Sequence, residues 1–307
     1  MDDKKESAFD NLYDQYKHLG YPIDLIDVDS DFTIFNLKDL NQPLPFSSPV
    51  SRLNFFVFAF VKNANGKYTI DDQVYPIKPG TIYFTNPGHY RSFDWIDIED
   101  LYLITLSESF LKENVHSNIF EEFPFLLSET FPARAVSENI FREFEGLYFQ
   151  IRREYISGSP YRERIIGNLF VVLLLKIKQH FWPDYNPIQE GDRSSQIVRS
   201  FKQALEKHYR DLDKGLVKQV FRVQDYAEEL NLHPNYLSTL IRSKTGKAVS
   251  VWIAEKTMVE AKSMLQNTRL SIKEIAWRLG FSESSHFSNY FKKHTGTSPV
   301  SYRAGIN

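Results

Sequence analysis

Two segments near the end of the chain carry side chains that can form hydrogen bonds with nucleic-acid bases. The segments begin near Pro234 and Ser284, and each has apolar residues at the spacing of one helix face. The opposite face carries Asn, Ser, Thr, Arg and His. Asparagine can pair bidentately with adenine, arginine with guanine, and serine or histidine can donate or accept. The predicted base contacts are Asn235, Ser238, Thr239, Arg242, Ser284, Ser285, His286, Ser288 and Asn289.

Lysines near the same two segments suit phosphates, which fix the register of a protein on DNA without specifying a sequence. These predicted phosphate contacts are Lys244, Lys247, Lys292 and Lys293. The charge of the whole chain is divided in the same way. Residues 191–307 hold 19 Lys and Arg against 11 Asp and Glu, whereas residues 1–190 hold 18 against 28. Because neutralised phosphates release counterions, the basic part favours double-stranded DNA as a partner.

An internal repeat surrounds these segments. Residues 223–232 align with residues 272–281 at an offset of 49, and residues 237–242 align with 287–292 at an offset of 50. Each copy is predicted to be a helix, a tight turn and a second helix. A small alanine in each first helix, Ala227 or Ala276, allows close packing, and the turn residue is Asn231 or Gly280, both of which tolerate a left-handed backbone.

Local signals support these helix boundaries. Ser271 and Glu274 form a capping box, and Gly246 and Gly296 suit the end of the second helix in each copy, while Arg222 is a poor capping residue. Residues 249–266 between the copies read as one amphipathic helix of about 25 Å. A rod of that length lets two recognition helices enter successive major grooves, which recur every ~34 Å.

The residues of the second copy resemble a known family. The run from Ile275 to Phe281, the run from His286 to Pro299, and Tyr302-Arg303 resemble the signature of the AraC/XylS family of bacterial transcription regulators. The resemblance spans residues 195–307. It implies sequence-specific DNA binding and regulation of transcription, with RNA polymerase as a further partner. Whether the chain is an activator or a repressor stays open.

The preceding part of the chain is predicted to be a separate domain. Pro183, Pro187 and Gly191 break the pattern, so we place a linker at 183–194 between domains 1–182 and 195–307. Residues 50–110 show short aromatic and β-branched runs separated by turn signals, which favours a small barrel or sandwich. Two helices follow, at 137–156 and 161–181. The predicted fold is therefore α+β in the first domain and all-α, with two helix-turn-helix units joined by a long helix, in the second.

The first domain resembles the cupin-like sensor found before such DNA-binding domains. The resemblance rests on residues 66–71, 75–80 and 86–88 within residues 30–110. It implies a β-barrel that holds a small-molecule effector. We also predict that the two following helices form a homodimer. A guanidinium suits a carboxylate or phosphate of the effector, although pairing of Arg91 with Asp94 or Asp97 is an alternative. The predicted effector contacts are Arg91, His89, Tyr68, Phe56, Phe58 and Tyr83, with core packing as the other interpretation of the aromatic residues.

Other protein classes fit the sequence less well. A metal-dependent cupin enzyme fused to a DNA-binding module needs several converging His ligands, whereas His89 stands alone, and His286 and His294 lie about 12 Å apart along one helix. The chain has no Cys, which excludes an alkyl-accepting repair protein. We therefore predict no enzyme activity, no metal and no cofactor. A regulator whose first domain only dimerises, or binds a partner protein, stays open.

The sequence also bears on location. The start of the chain, Met1 to Glu6, is charged rather than apolar, so we expect no secretory signal and a cytoplasmic location. The longest apolar run, Leu169 to Leu175, is far shorter than the ~20 residues that cross a bilayer, so we expect no membrane partner.

Overall fold

The computed structural model describes residues 7–9, 11–21, 23, 26, 30–40, 42–70, 73–115, 119–127, 133–181 and 193–304. Contacts divide the chain into two units, one within residues 1–115 and 128–187 and the other within 116–127 and 188–307. The sequence predicts contiguous domains, whereas the short segment 119–127 groups with the second unit. Phe120 of this segment is buried, and the ammonium of Lys256 lies 6.0 Å from its ring. The predicted linker lies outside the described residues as far as residue 192.

The first unit contains an antiparallel sheet. Its hydrogen-bonded order is β1-β4-β8-β5-β7-β9, with β2 and β3 on β8 and β6 on β5, and only β1 and β4 pair in parallel among the described residues. Along this path the end strands do not pair in the part of the chain described, so the sheet is open there and does not form the closed β-barrel that the sequence predicts. The strands are β1 Ser7–Phe9, β2 Phe32–Asn36, β3 Phe46–Ser47, β4 Ser51–Leu53, β5 Phe56–Ile70, β6 Gln73–Ile77, β7 Thr81–Thr85, β8 Tyr90–Leu106 and β9 Arg134–Ala135.

Helices make up the rest of the regular structure. In chain order they are α1 Leu12–His18, α2 Glu108–Phe110, α3 Ile119–Glu122, α4 Glu138–Ile156, α5 Arg162–Phe181, α6 Arg193–Asp213, α7 Val223–Glu229, α8 Pro234–Thr245, α9 Val249–Asn267, α10 Ile272–Arg278, α11 Ser284–Thr295 and α12 Pro299–Ala304. The two helices predicted at 137–156 and 161–181 are confirmed as α4 and α5. None of the helices in the described ranges has the length and apolar character needed to traverse a lipid bilayer.

Alternation along β5 divides its side chains between two packing layers. Phe58 stacks on Phe84 of β7 at 5.4 Å and meets Phe170 of α5 edge-on at 5.0 Å, while Phe60 stacks on Phe144 of α4 at 5.8 Å. These even-numbered residues therefore pack under α4 and α5. The odd-numbered residues, such as Val57, face the other side of the sheet.

A glycine allows α5 to approach the segment after α2 closely. A Cβ built on Gly167 would lie 1.9 Å from the backbone oxygen of Asn114, within the π-helical turn Leu111–Val115. No side chain fits at this distance, so the contact requires glycine. The α4–α5 pair is thereby packed against both the sheet and this turn.

The second unit has two hydrophobic cores that share one helix. Phe201, Tyr226 and Ile241 lie in the first core, and Ile275 and Phe287 lie in the second. The helix α9 contributes Val249 and Trp252 to the first core and Met258, Ala261, Met264 and Leu265 to the second. Its 19 residues span about 28 Å. The long connecting helix predicted at 249–266 is confirmed and ends one residue later.

Candidate nucleic-acid interface

The first helix-turn-helix unit consists of α7 and α8. Backbone atoms at the turn adopt the left-handed conformation at Asn231, with a φ of 54°, the one non-glycine residue with positive φ in the described ranges. Asparagine adopts this conformation at low cost, which explains its use there. Pro234 is the first residue of α8, and His233 caps the helix by accepting the Asn235 N–H at 3.2 Å. The chain leaves α8 through Gly246 at φ 75°.

The second unit, α10 and α11, repeats this geometry. The predicted capping box is confirmed, because Glu274 N–H donates to Ser271 Oγ at 3.2 Å and Ser271 N–H donates to Glu274 Oε2 at 2.7 Å. Hydrogen bonding to Ser271 lowers the pKa of Glu274 below its ordinary value, which keeps the carboxylate ionised. Gly280 occupies the turn at φ 76°, and Gly296 ends α11 at φ 77°.

Helical phase separates a packing face from an outer face in both second helices. Leu237 and Ile241 of α8, and Phe287 and Phe291 of α11, are fully buried. All nine predicted base contacts lie on the outer face, where Ser238 and Ser288 are partly buried and the other seven are exposed, namely Asn235, Thr239, Arg242, Ser284, Ser285, His286 and Asn289. The structure thus gathers the predicted residues into two equivalent surfaces, and their contacts with bases stay a prediction.

Some hydroxyls on α11 already have partners within the helix. Ser288 Oγ donates to the Ser284 carbonyl oxygen at 2.8 Å, so towards a base it retains acceptor lone pairs. Ser285 Oγ donates to Glu283 at 3.0 Å, and His286 lies 3.9 Å from the same carboxylate. Glu283 therefore belongs to this surface, where a carboxylate can accept from the amino group of cytosine. Its position directly before Ser284 is the signal that sequence reasoning missed.

The four predicted phosphate contacts differ in their surroundings. Lys244, Lys292 and Lys293 are exposed near the C-terminal ends of α8 and α11. In contrast, the Lys247 ammonium lies 2.6 Å from Glu255 Oε1 and 5.7 Å from the Trp252 ring. Engaging a phosphate with Lys247 requires that this ion pair open, so Lys244, Lys292 and Lys293 are the better candidates.

The loop that precedes α7 is held by a buried histidine. Burial lowers the pKa of His208 to about 4, so its imidazole is neutral near pH 7. The Nε2 atom of His208 accepts the Phe221 N–H at 3.0 Å, and the two rings stack with centroids 3.8 Å apart. This contact ties the loop between α6 and α7 to α6.

A second candidate site is a cavity of about 50 Å³ in the first unit, beneath α1. Arg91 is the one charged side chain among the described residues that line it. Burial raises the pKa of both Tyr16 and Tyr83 above the ordinary value, so both hydroxyls stay protonated and can donate. The polar residues of the lining are Gln15, Tyr16, Tyr21, Ser51, Tyr83, Arg91 and Thr105.

Arg91 faces this cavity from β8. The side chain is 4% exposed, and its Nη1 donates to Thr85 Oγ1 at 2.6 Å. Phe93 and Trp95 line the same cavity, so alternation puts Asp94 on the opposite, exposed face of the strand. Asp97 instead accepts two hydrogen bonds from Asn65. The geometry therefore does not favour the alternative in which Arg91 pairs with either aspartate.

The other predicted effector contacts are divided by the sheet. Tyr83 lines the cavity, and Tyr68, which is outside the lining, stacks on the Tyr83 ring with centroids 4.8 Å apart. Phe56 and Phe58 do not line the cavity, because Phe58 and its even-numbered neighbours on β5 pack under the helices. His89 is buried but is also outside the lining. Sequence reasoning missed the residues from α1, Gln15 and Tyr16, whose approach depends on a long-range contact.

A candidate contact surface for a second copy lies on α5. Ile165, Val172 and Leu175 are 37%, 41% and 45% exposed, and their spacing puts them on one face of the helix. Exposed apolar side chains grouped on one face are typical of contact surfaces. Within the described residues, no group of three His, Asp or Glu is arranged to hold a metal ion.

Comparison with known proteins identifies similar chains. Residues 226–305 match a family described as a helix-turn-helix domain. The chain is 30% identical to the arabinose operon regulatory protein of Escherichia coli over 159 residues, which cover 52% of this chain and 50% of that protein. It is 22% identical to the HTH-type transcriptional activator RhaR of an Enterobacter species over 252 residues, which cover 81% of this chain and 84% of that protein.

The alignments with the first two curated relatives span about half the length of those proteins, 50% and 48%. Among solved structures, the C-terminal domain of AraT, a response regulator from Geobacillus stearothermophilus, is 35% identical. That match covers 37% of this chain and 88% of the AraT domain, with a TM-score of 0.33.

Proposed function

We propose that this chain, which belongs to the AraC/XylS family, is a sequence-specific DNA-binding regulator of transcription. The observation that carries the proposal is the duplicated helix-turn-helix unit, whose two second helices expose equivalent polar faces. In this proposal α8 and α11 enter successive major grooves on one side of the duplex. Asn235 and Asn289 read bases, and the lysines at the ends of the two helices hold phosphates.

Contacts with phosphates predict how the affinity for DNA depends on salt concentration. The affinity for any duplex DNA should fall steeply with salt, by about 0.9 in log-log slope for each phosphate neutralised. Lys292→Ala should weaken binding to all sequences alike. It should also make the log-log slope shallower by about 0.9, the value for one phosphate contact. Fluorescence anisotropy across salt concentrations measures both quantities.

The matched control is Lys67→Ala, which removes the same charge from an exposed position on β5 of the first unit. We expect it to leave the slope at the wild-type value. A Lys292→Ala slope equal to that of wild type would exclude Lys292 from the phosphate contacts.

We further propose that the first unit, as a cupin-like sensor, binds a small organic acid in the cavity beneath α1. Support comes from the Arg91 guanidinium in a lining that is otherwise apolar or neutral, a setting in which the charged pair with a carboxylate is strong. A ligand there regulates DNA binding only through a difference in affinity between arrangements that can and cannot bind DNA. RNA polymerase remains an expected partner of the DNA-bound chain.

Calorimetry tests the effector site. With acetate, pyruvate and benzoate as probes, we expect at least one to bind the wild-type chain, and Arg91→Ala to weaken it by tenfold or more because the anion loses its counter-charge. Val74→Ala, at an exposed position on β6, is the control. Equal affinity in wild type and Arg91→Ala, or no binding of any acid, would contradict the assignment of this cavity to an acid.

The exposed apolar face of α5 favours a homodimer, which brings two DNA-binding units to adjacent half-sites. It also supports the alternative in which the first unit only dimerises and binds no ligand. The two candidates differ in one observation, since ligand-free dimerisation predicts no heat with any small molecule but the same dimer on DNA.

A further inference from the structure

One face of α6 contacts the region where the two helix-turn-helix units join. Glu206, Tyr209 and Asp213 occupy this face, at the spacing i, i+3 and i+7. Lys256 Nζ of α9 lies 2.5 Å from Glu206 Oε2, and the hydroxyls of Tyr209 and Thr257 are 2.5 Å apart. Arg278 Nη1 at the end of α10 donates to Asp213 Oδ1 at 3.0 Å. We name these three α6 residues the α6 brace.

The brace reaches the part of α9 that neither core holds. Trp252 belongs to the first core and Met258 to the second, so residues 254–257 form the joint between them. At this joint the Lys256 side chain is 2% exposed, and its ammonium also pairs with Glu260 at 2.8 Å. These contacts add to the connection that α9 alone makes between the two helix-turn-helix units, and a single helix can bend and twist.

The last contact of the brace joins α6 to the second helix-turn-helix unit. Asp213 ends a helix of the first core, whereas Arg278 ends the first helix of the second helix-turn-helix. Next to this ion pair, a Cβ built on Gly280 would lie 3.0 Å from the backbone nitrogen of Val220. The loop after α6, which His208 holds in place, thus lies directly against the turn of the second helix-turn-helix unit.

We propose that the α6 brace fixes the distance and twist between α8 and α11, and so determines which spacing of two DNA subsites this chain accepts. The proposal rests on the function proposed above. Inserting one base pair moves a subsite by about 3.4 Å along the duplex and about 34° around it. A braced pair of helices cannot follow this movement, whereas a jointed pair can. Asp213 and Arg278 are positioning residues in this scheme, because they act through the recognition helices.

The first test compares spacing preference. Affinity is measured for the duplex that the wild-type chain selects and for the same duplex with one base pair inserted between its two subsites. The ratio compared is the affinity for the original duplex divided by the affinity for the lengthened one. Asp213→Asn removes a half-exposed ion pair, so we expect the ratio to fall roughly two- to fivefold. Exchanging the charges, with Asp213→Arg and Arg278→Asp together, should restore it.

The matched control is Glu229→Gln. Glu229 pairs with Lys207 at 3.2 Å entirely within the first helix-turn-helix and its preceding helix, and its loss removes one negative charge, as Asp213→Asn does. We expect Glu229→Gln to keep the wild-type ratio. An unchanged ratio in Asp213→Asn, or an equal fall in both variants, would overturn the proposal.

A second measurement needs no DNA. The chain has no Cys, so Thr239→Cys and Asn289→Cys place one spin label on each recognition helix of the full-length protein. Electron paramagnetic resonance should show a narrow distance distribution that broadens when Asp213→Asn is added and stays narrow with Glu229→Gln. A distribution that Asp213→Asn leaves unchanged would exclude the brace. If the labelled helices respond as expected while the wild-type chain selects no DNA, the proposed function fails and the brace stands.

Discussion

Asn235→Ala combined with Asn289→Ala is expected to lower the preference for the selected duplex, over one altered at both contacted base pairs, by about 2–6 kcal/mol. In the proposed interface each asparagine pairs with one adenine through two hydrogen bonds, and a bidentate contact of this kind is worth about 1–3 kcal/mol of discrimination. The two residues lie on different helices that belong to separate cores, so their effects should add. Competition binding with the altered duplexes measures the preference.

The single variants provide the internal control. Asn235→Ala should lose preference at one position of the site and Asn289→Ala at another, about one helical turn away. Lys293→Ala, which removes an exposed charge beside the same helix face, should weaken binding to every duplex alike. If both asparagine variants keep the wild-type preference at every position, these residues do not read bases.

Lys256→Met is expected to destabilise the second unit by about 3–5 kcal/mol. The Lys256 ammonium is buried between Glu206 and Glu260, at 2.5 and 2.8 Å. Its removal takes away the cation that lies between these two carboxylates, and losing the partner of a buried charge costs several kcal/mol. Hydrogen exchange of the α9 amides in the full-length chain reports this loss in the unit concerned.

Two variants frame this result. Lys207→Met breaks the exposed pair with Glu229, where the side chains are 61% and 32% exposed, and should cost less than about 1 kcal/mol. Adding Glu206→Gln to Lys256→Met removes one of the two carboxylates that flank the Lys256 ammonium. This should recover part of the lost free energy of unfolding. A Lys256→Met chain as stable as Lys207→Met would show that the buried triad contributes little.

The fold of the two helix-turn-helix units was predictable because its signals are local. The capping box at Ser271, the turn residues Asn231 and Gly280 and the left-handed C-caps each depend on a few neighbouring residues. Both copies of the repeat carry the same signals, so each supports the prediction for the other. Helical phase separates buried Leu237 and Phe287 from their exposed neighbours. Local chemistry and periodicity together therefore suffice for this part of the fold.

The sheet was less predictable, because alternation along a strand does not say which face meets which layer. Phe58 and Val57 are adjacent on β5, yet only Val57 lines the cavity, since α4 and α5 cover the other face. The cover from α1 adds Gln15 and Tyr16 to the lining through a contact that no short pattern indicates. Of the six predicted effector contacts, Arg91 and Tyr83 therefore line the cavity, whereas Phe56, Phe58, Tyr68 and His89 do not.

The α6 brace was missed for a related reason. Its contacts join residues 48 to 65 positions apart, from Tyr209–Thr257 to Arg278–Asp213. Lys256 and Glu206 look like ordinary charges on helix surfaces, and only the packing of α6 beside α9 buries them. Similarly, the sequence does not show that Lys247, a predicted phosphate contact, forms an ion pair with Glu255 eight residues later.

The most direct test of the account is selection of bound sites from random duplex DNA with the full-length chain. Two recognition helices carried by repeated units predict two clusters of specified base pairs whose centres are about 10 base pairs apart, so that both face the same side of the duplex. A selected motif with one cluster, or a pool with no preference at any position, would contradict the claim that α8 and α11 read DNA together.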